Sequence, residues 1–282
     1  EGRYLTSNYR DHQYMNVVTY GYTCPYWDEA RWDKEIDWMA LHGIDMPLLL
    51  ITQEQVYREV FLDMGLTAEE IDEWETGPAH LPWMRMGNIA GNTFDGPLPE
   101  AWNNSQISLL KHILKRMNAL GMKPIFPAFG GFVPKAFATH YNLDITTTGW
   151  DWVAGDLGNY RLLPDNPYFV EIGRRFIQKW ENLFGKGQYY LSDSFNEMKG
   201  PEEKDLLTQY GDSIYKSIAS ANPDATWVMQ GWTVGFQRSH WGNGVFEALV
   251  RNVPDDKFLM LDMATDYNRI WWKSSYNWEY YD

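Results

Sequence analysis

Chemistry is most legible in the segment Tyr189–Met198, YYLSDSFNEM. A short aromatic and apolar run leads straight into Asp193, Asn196 and Glu197, which places polar groups at the C-terminal end of a predicted strand. A Glu beside an Asn at such a place suits acid–base work. The carboxyl can donate a proton to a leaving oxygen while the carboxamide holds a hydroxyl or orients the acid. Cleavage of a glycosidic bond is a reaction of this kind. It takes two carboxyl groups, one a proton donor and the other a nucleophile or base, about 5–5.5 Å apart when configuration is retained. The competing reading is that Glu197 caps the helix that follows, and an Asn-Glu dipeptide alone does not separate the two.

Polar and aromatic residues recur at the ends of the other apolar runs: Tyr20, then Thr52-Gln53-Glu54, Phe129, Gln230 to Trp232, and Asp262, with Asn16 inside the first run. Tyr and Trp join a flat apolar face to a hydrogen-bonding edge, which suits stacking on sugar rings. The chain holds 15 Trp and 18 Tyr, and the plainer use for each is to fill a core. His12, His42, His80, His112, His140 and His240 are scattered and form no HExxH motif, so no metal site is expected. Chemistry on two carboxylates needs no metal or organic cofactor.

The elements that must position these groups follow from hydrophobic spacing. Met15 to Tyr20 (MNVVTY) reads as a strand and Trp27 to His42 as an amphipathic helix closed by Gly43. Ile44 to Ile51 is a nearly all-apolar second strand, of the kind buried in a parallel sheet. Helices are predicted over Gln53–Met64 and Thr67–Trp74, the second opening with a capping box. A Gly/Pro/Asn-rich loop covers Gly77–Pro99, a helix Ala101–Leu120, and a third strand Lys123–Phe126. A long loop from His140 to Asn166 leads to a helix at Pro167–Phe184. The remaining strands are Tyr189–Ser192, Trp227–Gln230 and Phe258–Leu261, with helices over Glu202–Ala221 and His240–Val250 between them. Six strand-then-helix units argue for a parallel sheet with helices outside it. No glycine-rich fingerprint follows the first strand, which counts against a nucleotide-binding doubly wound sheet. Functional residue types at the C-terminal end of nearly every strand favour the α/β class in its (β/α)8 form, with about six of the eight units of such a barrel present. Residues 1–282 thus read as one catalytic barrel domain, expected to be incomplete at its C-terminus.

Composition bounds the partners. The net charge of −14 argues against nucleic acid or an anionic membrane surface, and no stretch approaches the roughly 20 apolar residues of a membrane span. The single cysteine, Cys24, excludes an internal disulfide. The absence of an initiator Met or signal sequence at Glu1 points to a processed or excised segment.

DSFNEM resembles the α-N-acetylglucosaminidase family, glycoside hydrolase family 89. So do ARWDKEIDWMALHGI (Ala30–Ile44), TGPAHLPWMRMGN (Thr76–Asn88), FDGPLPEAW (Phe94–Trp102), GMKPIFPAFGGFVP (Gly121–Pro134) and MQGWTV (Met229–Val234). These motifs span almost the whole chain in the family's order. The resemblance implies a retaining, exo-acting hydrolase of terminal α-linked N-acetylglucosamine, lysosomal in heparan sulfate breakdown in animals and exported in bacteria. It assigns the acid/base to Glu197, in the FNE motif. The family's nucleophile lies in a Pro-Glu-Gly-like motif that is absent here: Pro99-Glu100-Ala101 and Pro201-Glu202-Glu203 fall in the wrong places. Asn16 matches a sugar-contacting Asn, and Val18 stands where some members carry Cys. Trp232 and Trp83 resemble pocket-lining Trp residues, while Gln53, Glu54 and Asp262 are rim candidates for hydroxyls. Two other readings stay open: a catalytically inactive carbohydrate-binding barrel using Trp83 and Trp232, and another hexosaminidase specificity, against which the Asn196-Glu197 pair counts because substrate-assisted members usually carry Asp-Glu.

Overall fold

A computed structural model describes residues 6–91, 94–150, 152–153, 155–242 and 244–263. Strand β1 (Gln13–Tyr14) is followed by helices α1 (Thr19–Tyr22) and α2 (Glu29–Leu41). Strand β2 (Met46–Pro47) is followed by α3 (Gln53–Asp63), α4 (Ala68–Asp72), α5 (Leu81–Arg85) and α6 (Glu100–Ala119). After β3 (Ile125–Pro127) come β4 (Phe132–Val133), α7 (Lys135–Tyr141), β5 (Ile145–Thr148), β6 (Asn159–Leu162) and α8 (Pro167–Phe184). Then β7 (Tyr189–Leu191) leads to α9 (Lys204–Ala219). Strand β8 (Thr226–Gln230) leads to α10 (Trp232–Phe236), α11 (Arg238–Trp241) and α12 (Val245–Val250), ahead of β9 (Phe258–Leu261).

Six of these strands run parallel in consecutive spatial order. β1 pairs with β2, a parallel bridge joins Leu48 to Ile125 of β3, and β3-β7-β8-β9 form one sheet in which Tyr189 lies beside both Ile125 and Thr226. Strands β3, β7 and β8 are buried at every position, as parallel strands must be when a core fills one side and helices cover the other. Helix α8 shows how the covering works. Phe169, Ile172, Phe176, Ile177 and Trp180 recur at three- and four-residue spacing and are all buried, giving a continuous apolar stripe. Asp28 caps α2 by accepting the Arg31 N–H, and the predicted capping box is present, with Thr67 and Glu70 each satisfying the other's backbone.

Three expectations are corrected. The first strand is Gln13–Tyr14, not Met15–Tyr20, because Met15 adopts a left-handed φ of 70° and Thr19–Tyr22 turn into a helix. The side chain of Asn16 accepts hydrogen bonds from the Thr19 N–H at 3.0 Å and the Thr19 hydroxyl at 2.9 Å, and this local bonding wins over the β-branched run. The supposed loop His140–Asn166 contains β5 and β6, which pair antiparallel with each other and with β4 in a separate three-stranded sheet. Third, the helix read over His240–Val250 is two helices, α11 and α12, with Gly244 at φ 75° heading the second.

Helices α9 and α12 touch through backbone. A Cβ added to Gly211 would lie 1.7 Å from the Leu249 carbonyl oxygen. Gly211→Ala is therefore expected to lower unfolding free energy by about 3 kcal/mol, the upper end of overpacking costs. Denaturant unfolding would test this, and a loss below about 0.5 kcal/mol, the range of an ordinary surface substitution, would overturn the packing argument.

Candidate active site

A cavity of about 440 Å³ opens at the C-terminal ends of the parallel strands. Asn16, Val17 and Val18 reach it from behind β1, Asn196 and Glu197 from behind β7, Gln230 and Trp232 from β8 and its end, and Met263 from behind β9. Trp83 and Met86 close it from the loop that carries α5. Convergence of several strand ends on one cavity is how a parallel α/β sheet builds a site.

Glu197 is the one carboxylate among the described residues lining this cavity. Both of its oxygens accept indole N–H groups: Oε1 from Trp232 at 2.8 Å and Oε2 from Trp150 at 2.9 Å. Its backbone sits at φ 52°, in the left-handed region, which costs a residue with a Cβ on the order of 1 kcal/mol. Asn196 is 1% exposed. Its Nδ2 donates to Asn88 Oδ1 at 3.3 Å, and its carbonyl accepts from Asn88 Nδ2 at 3.0 Å. Among the described residues none donates a hydrogen bond to the buried Oδ1 of Asn196, which leaves it able to accept one from a ligand.

Beneath the cavity lies a polar floor. Asp193 accepts from the Phe195 N–H at 2.9 Å and from the Thr233 hydroxyl, and burial pushes its carboxyl up to about 6. Buried Arg161 on β6 donates to the Ser194 carbonyl and covers the Phe195 ring at 4.3 Å, so the turn before Asn196 is clamped from the excursion after β3. That excursion also grips the α5 loop. Thr148 donates to the Gly87 carbonyl at 2.9 Å, and a Cβ on Gly87 (φ 81°) would strike the Phe132 ring at 2.0 Å.

Asn16, Asn196, Glu197, Trp83 and Trp232 are thus brought together around one cavity, and Val18 with them. Gln53, Glu54 and Asp262 are not among its lining. Glu54 is 3% exposed and forms a forked ion pair with Arg85, with Nη2 3.0 Å from Oε1 and Nε 3.2 Å from Oε2. Gln53 is buried at the first position of α3, and Asp262 is exposed just past β9. Sequence reasoning missed Trp150 and Asn88. Asn88 lay inside a recognised motif with no sign of its partner. Trp150 follows the β-branched run ITTT, a strand signal inside the predicted loop His140–Asn166.

The family model for the alpha-N-acetylglucosaminidase (NAGLU) TIM-barrel domain matches residues 12–281. The chain belongs to this family. It is similar to the Homo sapiens alpha-N-acetylglucosaminidase, 36% identical over 266 residues, which are 93% of this chain and 36% of that protein. It is also similar to the Clostridium perfringens family 89 glycoside hydrolase. In a form with two Glu-to-Gln substitutions, bound to its substrate GlcNAc-alpha-1,4-galactose, that enzyme superposes with a TM-score of 0.80 at 27% identity, over 95% of this chain and 30% of its own. Its complex with PUGNAc gives 0.76 and 25%, over 92% and 29%. The chain spans about a third of the length of these relatives. Its six ordered parallel strands are accordingly part of a TIM-barrel domain.

Two stability measurements follow. Glu197→Gly and Glu197→Ala both delete the carboxylate, but only glycine relieves the left-handed backbone, so the glycine variant is expected to be about 1 kcal/mol the more stable. Equal stability would remove the strain from the account. For Asp193, a native pKa raised to about 6 means that its contribution is fully present below the unfolded carboxylate value and is lost as pH rises through 6. The stability of the protein relative to Asp193→Asn should therefore fall by roughly 2 kcal/mol between pH 4 and pH 7. A flat difference across that range would contradict the burial argument.

Proposed function

We propose that the complete gene product is a retaining exo-glycoside hydrolase that removes terminal, non-reducing α-linked N-acetylglucosamine, with residues 1–282 contributing to its catalytic barrel domain. The observation that carries this reading is Glu197, the one carboxylate among the described residues lining a cavity at the strand ends, fixed through both oxygens by indole N–H groups. The cavity is within the size range of small-ligand pockets. Its aromatic walls suit the apolar face of a sugar, and the unpaired Asn196 Oδ1 suits a hydroxyl or amide donor. Asn16 commits its Oδ1 to Thr19, so its amide N–H groups are what it offers a substrate.

In the first step Glu197 protonates the glycosidic oxygen as the bond to the anomeric carbon breaks, while a second carboxylate attacks that carbon from the opposite face. Glu197, now ionised, then takes a proton from water as the water displaces the enzyme from the glycosyl intermediate. No Pro-Glu-Gly occurs in the 282 residues, so the nucleophile is assigned to the part of the relatives that this chain does not span. The two Glu-to-Gln changes in the substrate-bound relative support a two-glutamate mechanism. Family membership supports an exported or lysosomal setting, and no described helix is long and apolar enough to cross a membrane.

The complete gene product is expected to hydrolyse a chromogenic α-N-acetylglucosaminide and to leave the β-anomer intact. Glu197→Gln should lower kcat/KM by about a thousandfold, within the usual range for a general acid–base group. Binding of the sugar without cleavage of either anomer would replace the enzyme by a carbohydrate-binding barrel.

A further inference from the structure

The rings that hold Glu197 continue outward into solvent. Trp150 stacks on Trp152 with centroids 5.8 Å apart and planes 27° apart, and Trp232 lies against Phe236 at 5.6 Å and 30°. Trp152 and Phe236 then meet each other at 5.5 Å, closing a four-ring arc around the carboxylate. The inner two rings spend their N–H groups on Glu197. The outer two have no such task and are 56% and 44% exposed, with Val153 beside them at 38%. Isolated exposed aromatics need no explanation, but a contiguous apolar patch that runs into a ligand cavity marks a contact surface.

The position of Glu197 decides what the surface contacts. A general acid hands its proton to the oxygen of the leaving group, so the leaving group must lie on the acid's side of the scissile bond. On that reading the retained sugar lies in the cavity among Asn16, Asn196 and Gln230. The departing residue then lies beside Glu197, which the exposed rings adjoin through Trp150 and Trp232. We propose that Trp152 and Phe236 form the subsite for the leaving residue, a platform on which the apolar face of a hexopyranose such as galactose stacks while Glu197 protonates its bridging oxygen. This rests on the acid/base reading of Glu197 given above. It predicts a preference for sugar leaving groups over small ones, selected by shape and ring faces and not by charge.

The test compares two substrates of the complete gene product: GlcNAc-α-1,4-galactose, whose leaving group reaches the platform, and α-N-acetylglucosaminyl fluoride, whose leaving group is too small to touch it. Trp152→Ala and Phe236→Ala should each lower kcat/KM for the disaccharide about five- to tenfold more than for the fluoride, the size of an aromatic stacking contact. Trp152→Tyr, which keeps a ring, should recover most of the loss, and Leu41→Ala, at an exposed apolar site at the end of α2, should change neither rate. Parallel losses on both substrates, or no loss on the disaccharide, would overturn the platform while leaving the hydrolase reading intact. If the unsubstituted protein cleaves neither substrate, the hydrolase reading fails and the platform with it.

Discussion

A carboxylate on a residue with left-handed backbone is not held by local preference, and Glu197 is held instead by two indole N–H groups, one on each oxygen. Both donors arrive over long sequence distances. Trp232 follows β8, the neighbouring strand in the sheet, while Trp150 comes from the excursion after β3. The carboxylate's position is therefore a property of the assembled parallel sheet. Strand order puts β7 beside β8, register sets Leu191 opposite Val228, and the excursion must fold back before the second N–H is in place.

The surroundings make that assembly rigid. Arg161 clamps the turn that begins at Asp193, Asn88 brackets Asn196 from a third element, and Arg85 neutralises Glu54 beneath the cavity. Each is a buried polar group paired by another, and each pairing is costly to break because a lone partner would remain out of water. Against that background the unpaired Oδ1 of Asn196 and the raised carboxyl of Asp193 stand out. Together with the left-handed backbone of Glu197 they fall within one short turn, where backbone strain is tolerated because the surrounding pairings over-determine it.

Much of this was legible from residue order. Buried parallel strands have to be almost continuously apolar and their covering helices have to carry a stripe, so β3, β7, β8, β9 and α8 were readable to within a residue or two. Gln53 and Glu54 show the limit. They stand at a strand end as rim residues should, but Glu54 is consumed by a forked pair with Arg85 from thirty-one residues away, a partner that no periodicity announces.

What the sequence determined by itself is the α/β alternation and the placement of Asn196 and Glu197 at the end of the fourth parallel strand, because hydrophobic period and strand length are local properties. Its family motifs extended that reading to the lining residues Asn16, Trp83 and Trp232. The tertiary structure decided which polar groups face the cavity and which are spent elsewhere, that the run after Tyr14 turns into α1, and that a second sheet carries Trp150 to the carboxylate. Those outcomes depend on pairings between residues tens to more than a hundred positions apart, and distance along the chain carries no record of who meets whom until the strands have paired.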